Sequence, residues 1–378
     1  MSPVEHLEAT VKILEHTLNH AIANHSADPK ETLHCPASHE VTHSWFERHF
    51  PKEHLESIES KWHLGIYVID RKTGEKHFED MSMYVRIGMH LLYYGSEQEK
   101  ALHWKRTLQL LEEQSVKMGR EYDDPKSKAH IRPFISSFRL EDSLVELKKP
   151  NPDDYDCFND FFARELKEGA RPPGDPENPK AVSSPADCRL TAFPTVDLAT
   201  KYWIKGFGFT LSKLLGNDDE LADKFDGGSI VIARLAPQDY HRWHSPIDGT
   251  VESVKLVPGA YYTVNPQAIN EPGTMDVFCE NKRSVMVCKR RQTGSPVAIV
   301  AVGAMLVGTI VYEEGVDKPG AEIRRAQCLG AFKYGGSTVV VLYPKGEVVL
   351  DDDLVNNSVD ESCETIVRAG ERVGAGPA

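Results

Sequence analysis

The chain has 378 residues, 40% of them hydrophobic and 27% charged, enough to bury a large core as two domains or one elaborated domain. Its 57 acidic residues against 44 basic ones leave a net charge of -13, which excludes a surface that grips nucleic acid as a whole. Seven scattered cysteines, odd in number and never paired as CxxC, indicate neither a disulfide framework nor a zinc site, and so reduced thiols.

The first residues, MSPVEHLEATVK, lack the basic start and apolar core of a signal peptide and the arginines of a transit sequence, so a cytoplasmic location is expected. Ser2-Pro3-Val4-Glu5 is a capping box, and Val4, Leu7, Val11, Leu14, Leu18 and Ile22 follow at helical spacing, which predicts an amphipathic opening helix. Ten of the 16 histidines lie between His6 and His63. His39 and His43 have the spacing of a metal pair on a helix, but no helical pattern or carboxylate supports them, and no metal site is expected. A second capping box at Ser96 to Glu99 starts a helix carrying Ala101, Trp104, Leu108, Leu111 and Met118, which Gly119 is expected to end. Asn151-Pro152 predicts a further helix bearing Phe158, Phe161, Phe162 and Leu166, closed by Gly169.

Four prolines between Arg171 and Lys180 break the helical pattern, and β signals take over. Ser229 to Leu235, Thr250 to Leu256, Ser284 to Lys289, two strands within Val297 to Tyr312, and Thr338 to Tyr343 read as strands between Asp-Gly, Pro-Gly and Lys-Gly turns. The run from Val297 to Tyr312 is too short for a bilayer and is interrupted by Gly303 and Gly308. The fold class expected is α+β: a helical N-terminal part packed on a curled, mainly antiparallel sheet.

Three segments look chemical: Ser184-Pro185-Ala186-Asp187, Tyr240-His241-Arg242-Trp243-His244-Ser245-Pro246, and Tyr334-Gly335-Gly336-Ser337-Thr338. Asp, His and Ser on separate segments are the ingredients of a nucleophilic triad. Each also has a plainer reading: a turn aspartate, histidines packed beside Trp243, and a flexible Gly-Gly-Ser turn. Ser337 is followed by a strand, Thr338-Val339-Val340-Val341-Leu342, which is not the strand-to-helix elbow of an α/β-hydrolase. Two preceding glycines permit strained backbone and bare the Gly336 carbonyl. The nearest electrophile for the Ser337 hydroxyl is then its own preceding peptide bond, which points to self-cleavage.

From about residue 80 to 372 the chain resembles the pyruvoyl-dependent phosphatidylserine decarboxylase family. The resemblance is carried by MYVRIGMHLLYYG, DDPKSKAHIRPFI, FNDFFARELKEGARP, SSPADCRL, YWIKGFGFTLSKLLG, GGSIVIARLAPQDYHRWHSPIDGTV, PGAYYTVNPQAI, VGAMLVGTIV and FKYGGSTVVVLYPKGEV. Gly-Gly-Ser-Thr is similar to the type II, endomembrane branch. Type II relatives usually carry N-terminal C2 modules, whereas residues 1–78 are too short for them and lack their calcium-loop aspartates. The domain expectation is therefore an atypical helical extension over 1–78 and a catalytic domain over 79–372. Cys188 follows Asp187 where many relatives have Gly or Ser.

The resemblance implies cleavage between Gly336 and Ser337, with His244 as the base for Ser337 and Asp187 orienting its imidazole. It implies a pyruvoyl group made from Ser337 as the cofactor, and a chain of residues 1–336 paired with a 42-residue chain, alone or as a homodimer of such pairs. The pyruvoyl ketone would condense with a substrate amine and accept the electrons left by carbon dioxide, and His241 is the implied donor of the replacing proton. On a strand, positions three apart face opposite ways, so both histidines reaching one site would need a turn or bulge near Pro246.

The leading expectation is decarboxylation of phosphatidylserine to phosphatidylethanolamine, with the alternative of a soluble decarboxylase of a free amino acid, aromatic ones included. A serine hydrolase that never cuts itself and an inactive binding relative fit less well, since Asp187, His241, His244, Gly336 and Ser337 are all present. Peripheral membrane contact, on endomembranes, could come from Val4 to Ile22, from Met83 to Tyr94, or from the basic cluster Lys282, Arg283, Lys289, Arg290 and Arg291. The plainer reading of that cluster is a solvated hairpin.

Overall fold

The computed structural model describes residues 65–80, 116–117, 119–204, 208–262, 276–304, 309–333 and 337–377. The opening helix, the His39 and His43 pair, Met83 to Tyr94, most of the helix from Ser96, and Gly336 lie outside the described residues. Strands β1 (Gly65–Asp70) and β2 (Lys76–Asp80) form a hairpin, and a helical region holds α1 (Ile131–Phe138) and α2 (Phe158–Phe162). Then come β3 (Ala181–Ser183), β4 (Cys188–Phe193), α3 (Val196–Tyr202), α4 (Leu211–Leu214), α5 (Asp219–Asp223) and β5 (Ser229–Leu235). Next are β6 (Arg242–His244), β7 (Gly249–Val257), α6 (Val277–Glu280), β8 (Arg283–Arg290), β9 (Pro296–Gly303) and β10 (Ile310–Tyr312). The chain ends with β11 (Glu322–Ile323), β12 (Cys328–Phe332), β13 (Ser337–Tyr343), β14 (Val349–Leu350), α7 (Asp352–Val359), β15 (Glu364–Val367) and β16 (Arg372–Ala375).

Ten strands form one sheet in the order β11-β7-β8-β9-β13-β5-β4-β15-β1-β2, antiparallel throughout except for β1 against β15. Its central strands are apolar on both faces, so period 2 sorts their side chains between two cores rather than between core and water. Ile230, Ile232, Val300, Val302, Val340 and Leu342 join the core under the helices, together with Phe134, Phe158, Phe161 and Phe162. Val231, Ala233, Ile299, Ala301, Val339 and Val341 join the opposite core with Trp243, Leu354 and Val373. At roughly 1.5–3 kcal/mol for each fully buried aliphatic side chain, β13 alone outweighs any exposed ion pair at about 0–1 kcal/mol. The fold is α+β, and the strands expected from β-branched runs all form.

Two further sheets are small: β10-β12-β6 and β14-β16-β3. The first of them explains the site. In the large sheet β9, β13 and β5 are neighbours, and in the small one β10, β12 and β6 are neighbours in the same order. Each strand of one triplet is joined in sequence to its counterpart in the other, so three adjacent strands leave one sheet for the next along a common corner.

The structure corrects several expectations. Residues 119–123 stay helical, because Gly119 does not take the left-handed conformation that ends a helix. The helix expected from Asn151 to Gly169 is broken: a 3-10 turn at Pro152–Asp154, extended backbone at Cys157, then only α2. Beyond α2 the backbone pairs as a strand would, Lys148 N–H to the Glu165 carbonyl at 2.8 Å and Lys167 N–H to the Glu146 carbonyl at 2.8 Å. The basic cluster is not one surface: Lys289 and Arg291 are exposed at the β8–β9 hairpin, as the plainer reading expects, but two of its arginines are not. Arg283 and Arg290 are buried in β8, Arg283 bonded to the carbonyls of Leu214, Cys279 and Asn281 and Arg290 to the Glu347 carboxylate. Finally, the boundary expected after residue 78 cuts through β2, whose hairpin is hydrogen-bonded into the large sheet.

Candidate active site

Ser337 opens β13 at the corner, paired with Leu235 and Gly303, the last residues of β5 and β9. It is completely buried, and among the described residues its Oγ has no hydrogen-bond partner; the neighbouring Thr338 Oγ1 has none among them either. Buried polar atoms are rarely left so. On the other side of the corner, the Phe332 N–H donates to the His241 carbonyl at 2.9 Å. Ser337 follows Phe332 by five residues, so at most about 17 Å of chain separates them.

β6 begins at Arg242, which leaves His241 in the connection from β5. Strict alternation therefore does not govern the histidine pair, and the irregularity lies on the partner strand rather than near Pro246. Between Cys328, opposite His244, and Gly330, opposite Trp243, β12 carries an extra residue. Only glycine serves at 330, since a Cβ there would lie 2.4 Å from the Trp243 ring.

His241 is fully buried, its ring centroid 4.0 Å from that of Phe162, with Nδ1 3.0 Å from the Asp239 carbonyl. His244 Nδ1 lies 2.7 Å from the Ala326 carbonyl, and Nε2 lies 3.3 Å from the Tyr240 hydroxyl. A carbonyl only accepts, so Nδ1 carries the proton and the Nε2 lone pair receives the Tyr240 O–H. Burial, opposed by the Ala326 hydrogen bond and the charge of Asp187, holds the His244 imidazole below its ordinary pKa. Burial likewise drives the Tyr240 hydroxyl upward, so it remains a donor.

The expected hydrogen bond from Asp187 to His244 is not formed. Asp187 accepts Arg171 Nε at 2.9 Å, Arg171 Nη2 at 2.6 Å and the Ala369 N–H at 2.8 Å. Its segment nevertheless runs alongside the histidine strand, with His244 N–H on the Pro185 carbonyl at 2.6 Å and Ser183 N–H on the Pro246 carbonyl at 3.0 Å. Asp187 thus acts on the imidazole through space rather than by direct contact. Arg171, immediately before Pro172, is what occupies it, and nothing in the residue pattern announces that pairing.

Sequence reasoning gave Tyr240 no role beyond its place in the segment, and it passed over Asp239. Asp239 fixes the connection before His241: its carboxylate accepts the Ala236 N–H at 2.7 Å and Arg189 Nη1 at 2.6 Å. The signal was available, since Asp-Tyr immediately precede the first histidine. Cys188, whose thiol burial raises well above its usual range, packs on the Ser184 hydroxyl and stays neutral. A cavity of about 520 Å³ between α3 and the α4 and α5 turns, lined by Asp197, Thr200, Phe209 and Asp223, includes none of the expected site residues. Among the described residues no cluster of His, Cys, Asp and Glu has the makings of a metal site, and no helix is long and apolar enough to cross a membrane.

Residues 158–375 match the family described as phosphatidylserine decarboxylase. Phosphatidylserine decarboxylase proenzyme 3 of Schizosaccharomyces pombe is 42% identical over 87% of this chain and 33% of its own length. Proenzyme 2 of Komagataella phaffii is 41% identical over 83% of this chain and 30% of its own. The chain thus spans about a third of the length of these yeast relatives. The Fusobacterium nucleatum phosphatidylserine decarboxylase proenzyme is 37% identical over 82% of this chain and 97% of its own length. The matched residues contain α2, the Asp187 turn, both histidines and Ser337, the whole corner described above, and so the chain belongs to the phosphatidylserine decarboxylase family.

Proposed function

We propose that the chain cuts itself between Gly336 and Ser337 and then converts phosphatidylserine to phosphatidylethanolamine and carbon dioxide. The observation that carries this reading is the Ser337 hydroxyl, buried at the strand corner with no hydrogen-bond partner among the described residues, in a family whose relatives are named proenzymes.

In the cutting step the Ser337 Oγ attacks the Gly336 carbonyl and the acyl group passes from nitrogen to oxygen. Loss of the Ser337 α-proton then breaks the Cβ–O bond and frees the Gly336 carboxylate. One water adds to the dehydroalanine left behind, releasing ammonia and leaving a pyruvoyl group at the head of β13. His244 is the base for this sequence: neutral through burial, with Nδ1 held by Ala326 and Nε2 the only lone pair to receive a proton. Tyr240 stands at that lone pair. Asp187, fixed by Arg171, lends negative charge to the imidazolium as it forms.

The residues around Ser337 fit such a group, because β13 stays paired with β5 and β9 on either side of the new terminus. Once formed, the ketone supplies an acceptor for the substrate amine and for the electron pair that carbon dioxide leaves behind. His241 keeps its Nδ1 proton on the Asp239 carbonyl, so Nε2 is the atom that would take up a proton and pass it to the carbon that lost carbon dioxide. Mass spectrometry of the purified protein should give two chains meeting between residues 336 and 337. Carbon dioxide should come from phosphatidylserine and not from free serine, tryptophan or tyrosine; release from a free amino acid alone would overturn the substrate.

A further inference from the structure

Four arginines are buried among the described residues: Arg164, Arg189, Arg283 and Arg290. Arg189 is paired with Glu79 and Asp239, Arg290 with Glu347, and Arg283 spreads its nitrogens over four backbone carbonyls. Arg164, at the exit of α2, differs from all three. It is 4% exposed, it has no carboxylate partner among the described residues, and Nη2 is satisfied by the Gln238 carbonyl at 3.1 Å and the Asp239 carbonyl at 3.2 Å. Its Nη1 is buried with no hydrogen-bond partner among the described residues. Asp187 and Asp239 act on it through space, but their carboxylates are already taken by Arg171 and Arg189.

This cation also sits beside the chemistry. The Asp239 carbonyl that receives Arg164 Nη2 is the one that His241 Nδ1 meets at 3.0 Å. Phe161 lies under the guanidinium, 5.2 Å from its carbon to the ring centroid, and Arg242 Nε holds the Ala163 carbonyl at 2.8 Å, so α2 cannot turn the side chain away. A buried guanidinium with an unused N–H is matched to a tetrahedral or planar oxyanion, which it takes through its fork of donors.

We propose that Arg164 is the anion-binding residue for the substrate headgroup, its Nη1 holding the phosphodiester beside His241. The phosphodiester, and not the carboxylate, is the partner because only the former keeps its charge through the reaction. A cation on the carboxylate would stabilise the ground state of a group that must leave as neutral carbon dioxide, which raises the barrier. The inference rests on phosphatidylserine being the substrate.

The test compares wild type with Arg164→Lys and Arg164→Gln, each first checked by mass for the two-chain form. Short-chain phosphatidylserine serves as substrate and glycerophosphoethanolamine, which has the phosphodiester but no carboxylate, as competitive inhibitor. Both variants should be cut as wild type is, and in Arg164→Gln the KM and the inhibition constant should rise together by about tenfold to a hundredfold. A KM that rises while the inhibition constant stays put would assign the guanidinium to the carboxylate and overturn the proposal, as would folded but uncut variants. A second measurement uses wild type alone, so it decides even where the variants do not fold. The neutral methyl triester of glycerophosphoethanolamine should inhibit at least about tenfold more weakly than the diester, and equal inhibition overturns the proposal. Wild type that releases no carbon dioxide from phosphatidylserine removes the substrate reading and the inference with it, whereas turnover by wild type with unchanged variants removes the inference alone.

Discussion

Two buried polar regions lie on either side of Asp239, and they are built in opposite ways. Toward β4, Arg189 donates to Glu79 at 2.9 Å and to Asp239 at 2.6 Å, and Arg234 donates to Glu364 at 2.8 Å, tying β2, β4, β5 and β15 together. Toward the strand corner, Ser337 Oγ, Thr338 Oγ1 and Arg164 Nη1 are buried without partners among the described residues. The first region has spent its hydrogen-bonding capacity on the fold. The second has kept it in reserve, which is what a site needs and a core avoids.

The sharpest way to break this comparison is at Ser337. Ser337→Ala should abolish both chain cleavage and carbon dioxide release, read by intact mass and gas evolution, while still folding and unfolding cooperatively in urea, since no hydrogen bond is lost. A variant that does not fold would mean the hydroxyl is structural after all. Next come the histidines. His244→Ala should stay uncut, and His241→Ala should be cut yet release carbon dioxide slowly; the reverse result would exchange the base and the proton donor.

On the satisfied side, Arg189→Met placed in the uncut Ser337→Ala protein should cost about 3–5 kcal/mol in urea unfolding, because it leaves Glu79 and Asp239 buried without their cation. A cost below about 1 kcal/mol would make the network dispensable. The smallest effect concerns pH. Self-cleavage needs neutral His244, whose pKa burial depresses below 6.5. Cutting should therefore be fully present at neutral pH and fall off on the acid side only below about pH 6.5. A midpoint above that value would contradict the burial.

What could be read from the residues follows from how each element is held. β5, β8, β9 and β13 are buried on both faces, so they are near-continuous apolar and β-branched runs, visible without any partner. The pieces held by tertiary contacts were not visible. Helical spacing of Phe158, Phe161, Phe162 and Leu166 concealed a break, because Leu166 pairs with Leu147 across a backbone bridge. Arg283 and Arg290 read as surface charge because their carbonyl and carboxylate partners lie far along the chain. At the site, Asp187, His241, His244 and Ser337 could be chosen as residue types, but the hydrogen bonds of Asp187 and His244 could not. Arg171 and Ala326 intercept the contact that a triad would form.

The threading of the last 41 described residues has a consequence for the life of the protein. β13 lies between β5 and β9, β15 between β4 and β1, and β16 between β14 and β3, so the segment after Ser337 is woven into the large sheet twice and into a small sheet once more. While the peptide bond before Ser337 is intact, folding is a unimolecular search. Once it is cut, the same native contacts would have to be regained by two molecules meeting in solution, against competing aggregation. The mature form should therefore unfold irreversibly, its persistence set by an unfolding rate rather than by an equilibrium. The uncut Ser337→Ala precursor should refold from urea under conditions where the cut protein does not, which makes the order of events, fold first and cut second, a requirement of the topology.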